Sequence, residues 1–295
     1  MNTVEIKSGG MSATISSLGA ELTSLKRDGI EYLWQGNPDF WAGQSPLLFP
    51  TTGRCWDNHY RHEGQEYSLD IHGFARFREF TLVDSKEDSA TFALHSDEAT
   101  LAVYPFPFFL FVTYKVDGKK LTVEWMVRNQ GEKDMFFQIG AHPAFNLPDF
   151  DPADEVRGYF QFETDGEIDY LIPLEKGCVK PDEPHRLELD AEGMMPITAK
   201  TFDIDTYVID STNISACTLL TPERLPWLTV RFHMPILSLW APTINHPDCP
   251  FVCIEPWCGS CDTVGYEGEF GDRRIMNRLV PSQHFLTSYT IELNG

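Results

Sequence analysis

The stretch from 108 to 128 constrains the fold more than any other. Leu110, Val112, Tyr114 and Val116 alternate with Phe109, Phe111, Thr113 and Lys115 as far as Asp117-Gly118. Leu121, Val123, Trp125 and Val127 then alternate with Thr122, Glu124, Met126 and Arg128. A period of two on both sides of an Asp-Gly turn predicts an antiparallel hairpin with one buried face. Further strand-like runs fall at 3–6, 13–16, 32–34, 136–140, 159–163, 170–174, 207–209, 214–220, 228–232, 237–240 and 285–293. No window of useful length holds a 3.6-residue period. Many short strands between Gly, Pro, Asp and Asn turns predict an all-β antiparallel sandwich or barrel. No linker, repeat or low-complexity tract divides the 295 residues, so one domain over 1–295 is expected.

The charge balance narrows the partners. Lys plus Arg number 23 and Asp plus Glu 44, so 23 − 44 = −21. Such a surface repels phosphate backbones and anionic lipid heads, and neither nucleic acid nor membrane is expected as a partner. The opening MNTVEIKSGG has no basic region followed by an apolar one, and the longest apolar run, 105–112, is too short to span a bilayer. Seven cysteines with no framework spacing suit a reducing compartment, and a cytoplasmic location is expected.

Against this background the segment 251–262, FVCIEPWCGSCD, stands out. It begins as a strand with Phe251, Cys253, Glu255 and Trp257 on one face and Val252 and Ile254 on the other. Pro256 removes a ladder donor and Gly259 lets the chain turn away. A carboxylate in an apolar, aromatic row is costly to bury, and burial raises its pKa toward that of a useful base. Taken alone, the segment is better read as a strand end with a solvated or ion-paired Glu. Three other stretches carry polar groups that fit no packing pattern: Arg54 in FPTTGR, His72 in IHGFAR and His142 in GAHPAFNLP. Singly, each is more simply a surface charge, a turn or a satisfied core histidine. Together they supply an acid, a base, a second imidazole and a fork-shaped donor.

SPLLFPTTGR, IHGFAR, IGAHPAFNLP and CIEPWCGSCD, in that order, resemble the aldose 1-epimerase (galactose mutarotase-like) family, and within it the LacX-like bacterial branch. The similarity extends from MSATISSLGAELTSL near the start to SYTIEL near the end. The resemblance implies a large antiparallel β-supersandwich with a sugar cleft on one sheet and no cofactor. It implies that Glu255 is the general base at the anomeric hydroxyl and His142 the general acid at the ring oxygen. His72 is implied to bind near the anomeric centre and Arg54 to contact sugar hydroxyls. A substrate-binding Asp is placed at Asp205 in TFDIDTYVID, with Asp203 as its competitor. The partner implied is a small sugar, for preference a neutral aldohexose; oligomeric state is not indicated. Mutarotation needs one group to remove a proton while another delivers one. A carboxyl and an imidazole, each tunable by its surroundings, form such a pair. Trp257 and Phe145 are candidates to stack on a sugar face, although core packing is the commoner use of either.

The spacing of Cys249, Cys253, Cys258 and Cys261 invites a metal reading. Only Cys258 and Cys261 form a knuckle, Cys253 lies inside the strand on the Glu255 face, and the resembling family carries no metal here. The expectation is no metal. Three other functions compete: a sugar-binding or sensing protein without turnover, a hexose-6-phosphate 1-epimerase, and a glycoside hydrolase using two facing carboxylates. Arg76 and Arg78, near His72, are where a phosphate reader would place its cations, against the simpler reading of surface charge.

Overall fold

The computed structural model describes residues 2–295, and almost all of its regular structure is strand. The predicted hairpin forms as Phe108–Asp117 and Lys120–Asn129, paired residue for residue from Phe108↔Asn129 to Asp117↔Lys120. The two-residue turn is Gly118-Lys119, one position later than Asp117-Gly118. Gly118 takes the positive φ (+61°) that a tight hairpin turn demands. Leu110, Val112, Tyr114, Val116, Leu121, Val123, Trp125 and Val127 are all buried, so the two-residue period correctly assigned the inner face.

This hairpin lies within a nine-stranded antiparallel sheet. Its order is Met194–Pro196, Tyr159–Thr164, Ile214–Leu220, Pro226–Phe232, His284–Leu293, Lys120–Asn129, Phe108–Asp117, Ser89–His95 and Thr81–Ser85. An eight-stranded sheet runs His185–Arg186, Asp169–Leu171, Thr206–Asp210, Ile236–Trp240, Phe251–Cys258, Ile139–Ala141 and Leu47–Leu48, with Ala144–Asn146 also paired to Phe251–Cys258. A four-stranded meander, from Thr3–Ser8 to Ile30–Glu31, precedes both. One apolar core joins the inner faces of the two large sheets. It takes Val112, Trp125 and Ile291 from the first and Val252, Ile254, Leu237 and Leu239 from the second. The architecture is a large antiparallel β-supersandwich, as expected. Among the described residues, no helix is long and apolar enough to cross a membrane.

The strands Leu22–Arg27, Thr81–Ser85, Ser89–His95 and Met194–Pro196 were not found from the sequence, and the run expected at 32–34 forms only an isolated bridge at Leu33. The region 41–70 has no apolar alternation, yet it contributes Leu47–Leu48 to the eight-stranded sheet and a small hairpin, His59–His62 with Gln65–Ser68. Two-residue pairings and a polar, largely exposed hairpin leave no periodic trace. The strand carrying Glu255 runs past Pro256 to Cys258 with all eight residues buried, so Glu255 is not the solvated strand-end carboxylate that the segment alone suggested. Pro256 is accommodated because the ladder is interrupted beside it: the neighbouring strand there is broken into Ile139–Ala141 and Ala144–Asn146 by His142-Pro143.

Candidate active site

That interruption brings the two best candidates together. The pairings Gly140↔Trp257 and Ala144↔Cys253 share one register offset, so His142 falls directly across from Glu255. His142 Nε2 and Glu255 Oε2 are 3.5 Å apart. On the other side of Glu255, Ser238 is its register partner. The face opposite the main core therefore carries the row His142, Glu255, Ser238. This row floors a cavity of about 310 Å³ that is also lined by Trp41, His72, Arg76, Asp205, Trp240 and Trp257. The volume lies at the small end for ligand sites and suits one monosaccharide.

The electrostatics follow from burial. Glu255 is 1% exposed, and desolvation holds its carboxyl well above the usual range, with the nearby Asp205 adding to the rise. Burial pushes His142 down to about 3. Both shifts favour a neutral acid beside a neutral imidazole. Glu255 Oε2, His142 Nδ1 and Ser238 Oγ are buried without a hydrogen-bond partner. Such atoms are expensive to leave unpaired, and in a cleft they are sites where a ligand is worth most.

His72 is set by its loop. The Gly53 N–H donates to His72 Nδ1 (3.1 Å), while the His72 N–H donates to the Gly53 carbonyl (2.8 Å). With Nδ1 accepting, a neutral His72 carries its proton on Nε2. Burial first, then His142, Arg76 and Arg54, keeps it neutral. The loop permits no side chain after His72: Gly73 has φ +69°, and a Cβ there would lie 2.3 Å from the Phe49 carbonyl oxygen. The neighbouring TTGR loop is pinned from the end of the Glu255 segment. Asp262 donates its N–H to the Arg54 carbonyl, its carboxylate accepts from the Trp56 N–H, and it pairs with buried Arg273 at 3.2 Å.

Of the residues singled out in the sequence, His72, His142, Asp205 and Glu255 meet at this cleft and Arg54 does not line it. Arg54 Nη1 donates to Asn58 Oδ1 at 2.6 Å, and its stem lies against Gly177. The guanidinium lining the cleft belongs to Arg76, whose Nη2 donates to the Ile71 carbonyl and whose central carbon lies over the Phe77 ring, 4.6 Å from its centre. Asp205 accepts from Trp240 Nε1 at 3.2 Å, and burial raises its carboxyl; Asp203 is exposed. Phe145 is fully buried and does not line the cleft. Trp257 lines it, but its indole N–H is already given to the Ala141 carbonyl at 3.2 Å.

Trp41 and Trp240 are half-buried aromatics of the cleft that the sequence did not single out. Trp41 stacks on the His142 ring at 4.9 Å and meets Trp240 edge-on at 5.5 Å. Trp41 lies in an irregular loop, so no pattern marked it. Of the four spaced cysteines, Cys249, Cys253 and Cys258 pack in the main core, where the Cys249 thiol donates to the Phe251 carbonyl, and Cys261 joins a smaller cluster with Trp257 and Val179.

A family model described as Aldose 1-epimerase matches residues 2–267. The plasmid-encoded Protein LacX of Lactococcus lactis subsp. lactis is 31% identical over 308 residues, covering 99% of each chain. Among solved structures, a galactose mutarotase related enzyme from Lactobacillus acidophilus superposes with TM-score 0.91 at 27% identity, covering 100% of this chain and 98% of that one. A galactose mutarotase-like protein from Lactobacillus casei superposes at 0.92, also at 27% identity, covering 99% and 100%. With the family model spanning most of the chain and LacX aligned along its whole length, the protein belongs to the aldose 1-epimerase family.

Proposed function

We propose that the protein is a working aldose 1-epimerase, interconverting the α and β anomers of an aldohexose within one domain. The observation that carries this reading is Glu255 facing His142 across 3.5 Å at the floor of a monosaccharide-sized cleft. A protein that only binds sugar has no need of a buried acid–base pair.

Proton counting makes the arrangement intelligible. Ring opening removes the proton from the anomeric hydroxyl and adds one to the ring oxygen; the C1–C2 bond then rotates and closure reverses both transfers. The pair holds one proton to share. As carboxylate and imidazolium, Glu255 takes the hydroxyl proton while His142 protonates the ring oxygen, leaving carboxylic acid and neutral imidazole. Closure on the other face of C1 runs the same exchange backwards. Burial favours the second of these states, so the open-chain sugar sits against the pair's preferred form. His72, through Nε2–H, is suited to donate to the oxygen at C1 as charge develops there. Asp205 and Arg76 supply an acceptor and a donor for the remaining hydroxyls, and Trp41 and Trp240 offer flat faces to the ring.

Polarimetry with α-D-glucose and α-D-galactose tests the proposal. Wild type should accelerate mutarotation over buffer, and Glu255→Gln should lose about 10²–10⁴-fold. A wild type that binds one of these sugars without accelerating its mutarotation refutes the enzyme. Arg76 supports a second reading, a hexose 6-phosphate as substrate, since a guanidinium beside the cleft could hold a phosphate. A lower KM for glucose 6-phosphate than for glucose, lost in Arg76→Gln, would favour that substrate.

A further inference from the structure

Cys253 has no place in the proposed reaction, yet it sits beside the reactive pair. It precedes Glu255 by two residues on the same strand face, and its register neighbour Ala144 follows His142 by two. One ligand-type atom from each of His142, Cys253 and Glu255 lies within 4.8 Å of the other two. The 3.5 Å between His142 Nε2 and Glu255 Oε2 already matches the edge of a tetrahedron with bonds of about 2.0–2.3 Å, the geometry of zinc. With all three atoms within 4.8 Å of one another, bringing the thiol to the 3.5 Å edge takes at most about 1.3 Å of side-chain adjustment (4.8 − 3.5).

We propose that His142, Cys253 and Glu255 form a binding site for a thiophilic divalent cation such as zinc or cadmium, and that the ion excludes sugar from the cleft. The donor set of imidazole, thiolate and carboxylate suits zinc and disfavours magnesium, which seeks oxygen ligands and keeps its waters. Charge argues the same way. A thiolate and a carboxylate cancel a divalent ion, so the loaded site is neutral where a lone ion would be prohibitive to bury. Binding releases two protons, from the Cys253 thiol and the Glu255 carboxyl, and changes no other bond. One of the ligand atoms, Glu255 Oε2, is buried without a hydrogen-bond partner, so the ion sacrifices no existing hydrogen bond there. With three protein ligands the fourth position faces the cleft, where the sugar's anomeric centre would sit. The site borrows residues of the proposed acid–base pair, but its occupancy does not depend on turnover.

The test is titration of the full chain with zinc by calorimetry and with cadmium by ultraviolet absorption, which reports the thiolate–cadmium bond. One ion should bind per chain with a thiolate band. Cys253→Ser should weaken binding more than about tenfold and abolish the band, while Cys258→Ser keeps both. Mutarotation by wild type should be inhibited by zinc and restored by a chelator, and Cys253→Ser should keep its activity in zinc. If Cys253→Ser does not fold, His142→Asn replaces it and should weaken binding by a similar factor. An absent band in wild type, or a band and affinity unchanged in the ligand variants, overturns the site. An inactive wild type that still shows the Cys253-dependent band overturns the enzyme reading and leaves the metal site standing.

Discussion

The two large sheets of this protein use the same strand geometry for opposite ends. The nine-stranded sheet is regular at its centre: along the hairpin every second residue from Phe108 to Val127 is buried and apolar but for the Tyr114 hydroxyl, and no carboxylate, imidazole or cation interrupts the inner face. The eight-stranded sheet turns one apolar face to the same core, but its other face holds Glu255, Ser238 and His142, all buried, at the break His142-Pro143. The first sheet provides stability and the second spends some of it on a polar site. Substitutions in the two sheets should therefore move stability and activity in different directions.

Glu255→Gln gives the largest separation. Its activity should fall by about 10²–10⁴-fold, while the folded chain becomes more stable at neutral pH. The sign follows from Glu255's raised folded pKa. At pH 4 the side chain is mainly protonated in both folded and unfolded chains, so the variant gains little. As pH rises past about 4.5 the unfolded chain ionises and wild type loses stability, until the pH passes the folded pKa. Melting curves of both proteins at pH 4 and pH 7 check this; a gain confined to pH 4 contradicts it. Trp125→Ala, in the nine-stranded sheet, should do the reverse. It removes a 1%-exposed indole and should cost about 3–5 kcal/mol in urea unfolding. The molecules that remain folded should keep the wild-type kcat.

Gly73→Ala probes the loop that holds His72, between the two extremes. Its Cβ would lie 2.3 Å from the Phe49 carbonyl oxygen at φ +69°. A stability loss of about 1–3 kcal/mol should accompany a fall in kcat/KM, because the same backbone orients the imidazole. Unchanged kinetics would show that His72 is dispensable. Asp205→Asn should have the smallest effect, raising KM about tenfold with a smaller change in kcat, as steady-state kinetics on galactose would show. An equal loss in kcat would place Asp205 in the proton transfer.

Legibility in the sequence divided along the same line. The centre of the nine-stranded sheet could be read strand by strand, since a half-buried antiparallel strand writes its burial into a period of two, but Thr81–Ser85, Ser89–His95 and Met194–Pro196 at its edges were not read. The cleft could be read only as four scattered oddities in 54–255, which the family resemblance then assembled. Register, which sets His142 across from Glu255, is a long-range property with no local trace. Trp41 and Trp240 looked like ordinary aromatics, and Arg76 like surface charge, until the loops brought them to the cleft. Arg54 shows the converse: its motif drew attention to a guanidinium that is tied to Asn58.

The central claim is that Glu255 and His142 exchange one proton with a sugar held between them. The most direct measurement is a crystal structure of Glu255→Gln soaked with galactose, in which turnover is slowed and the sugar can be seen. The account predicts C1 in the cleft, with its hydroxyl within about 3.2 Å of residue 255 and the ring oxygen within about 3.2 Å of His142. A sugar bound in the cleft with its anomeric carbon turned away from both residues would contradict it.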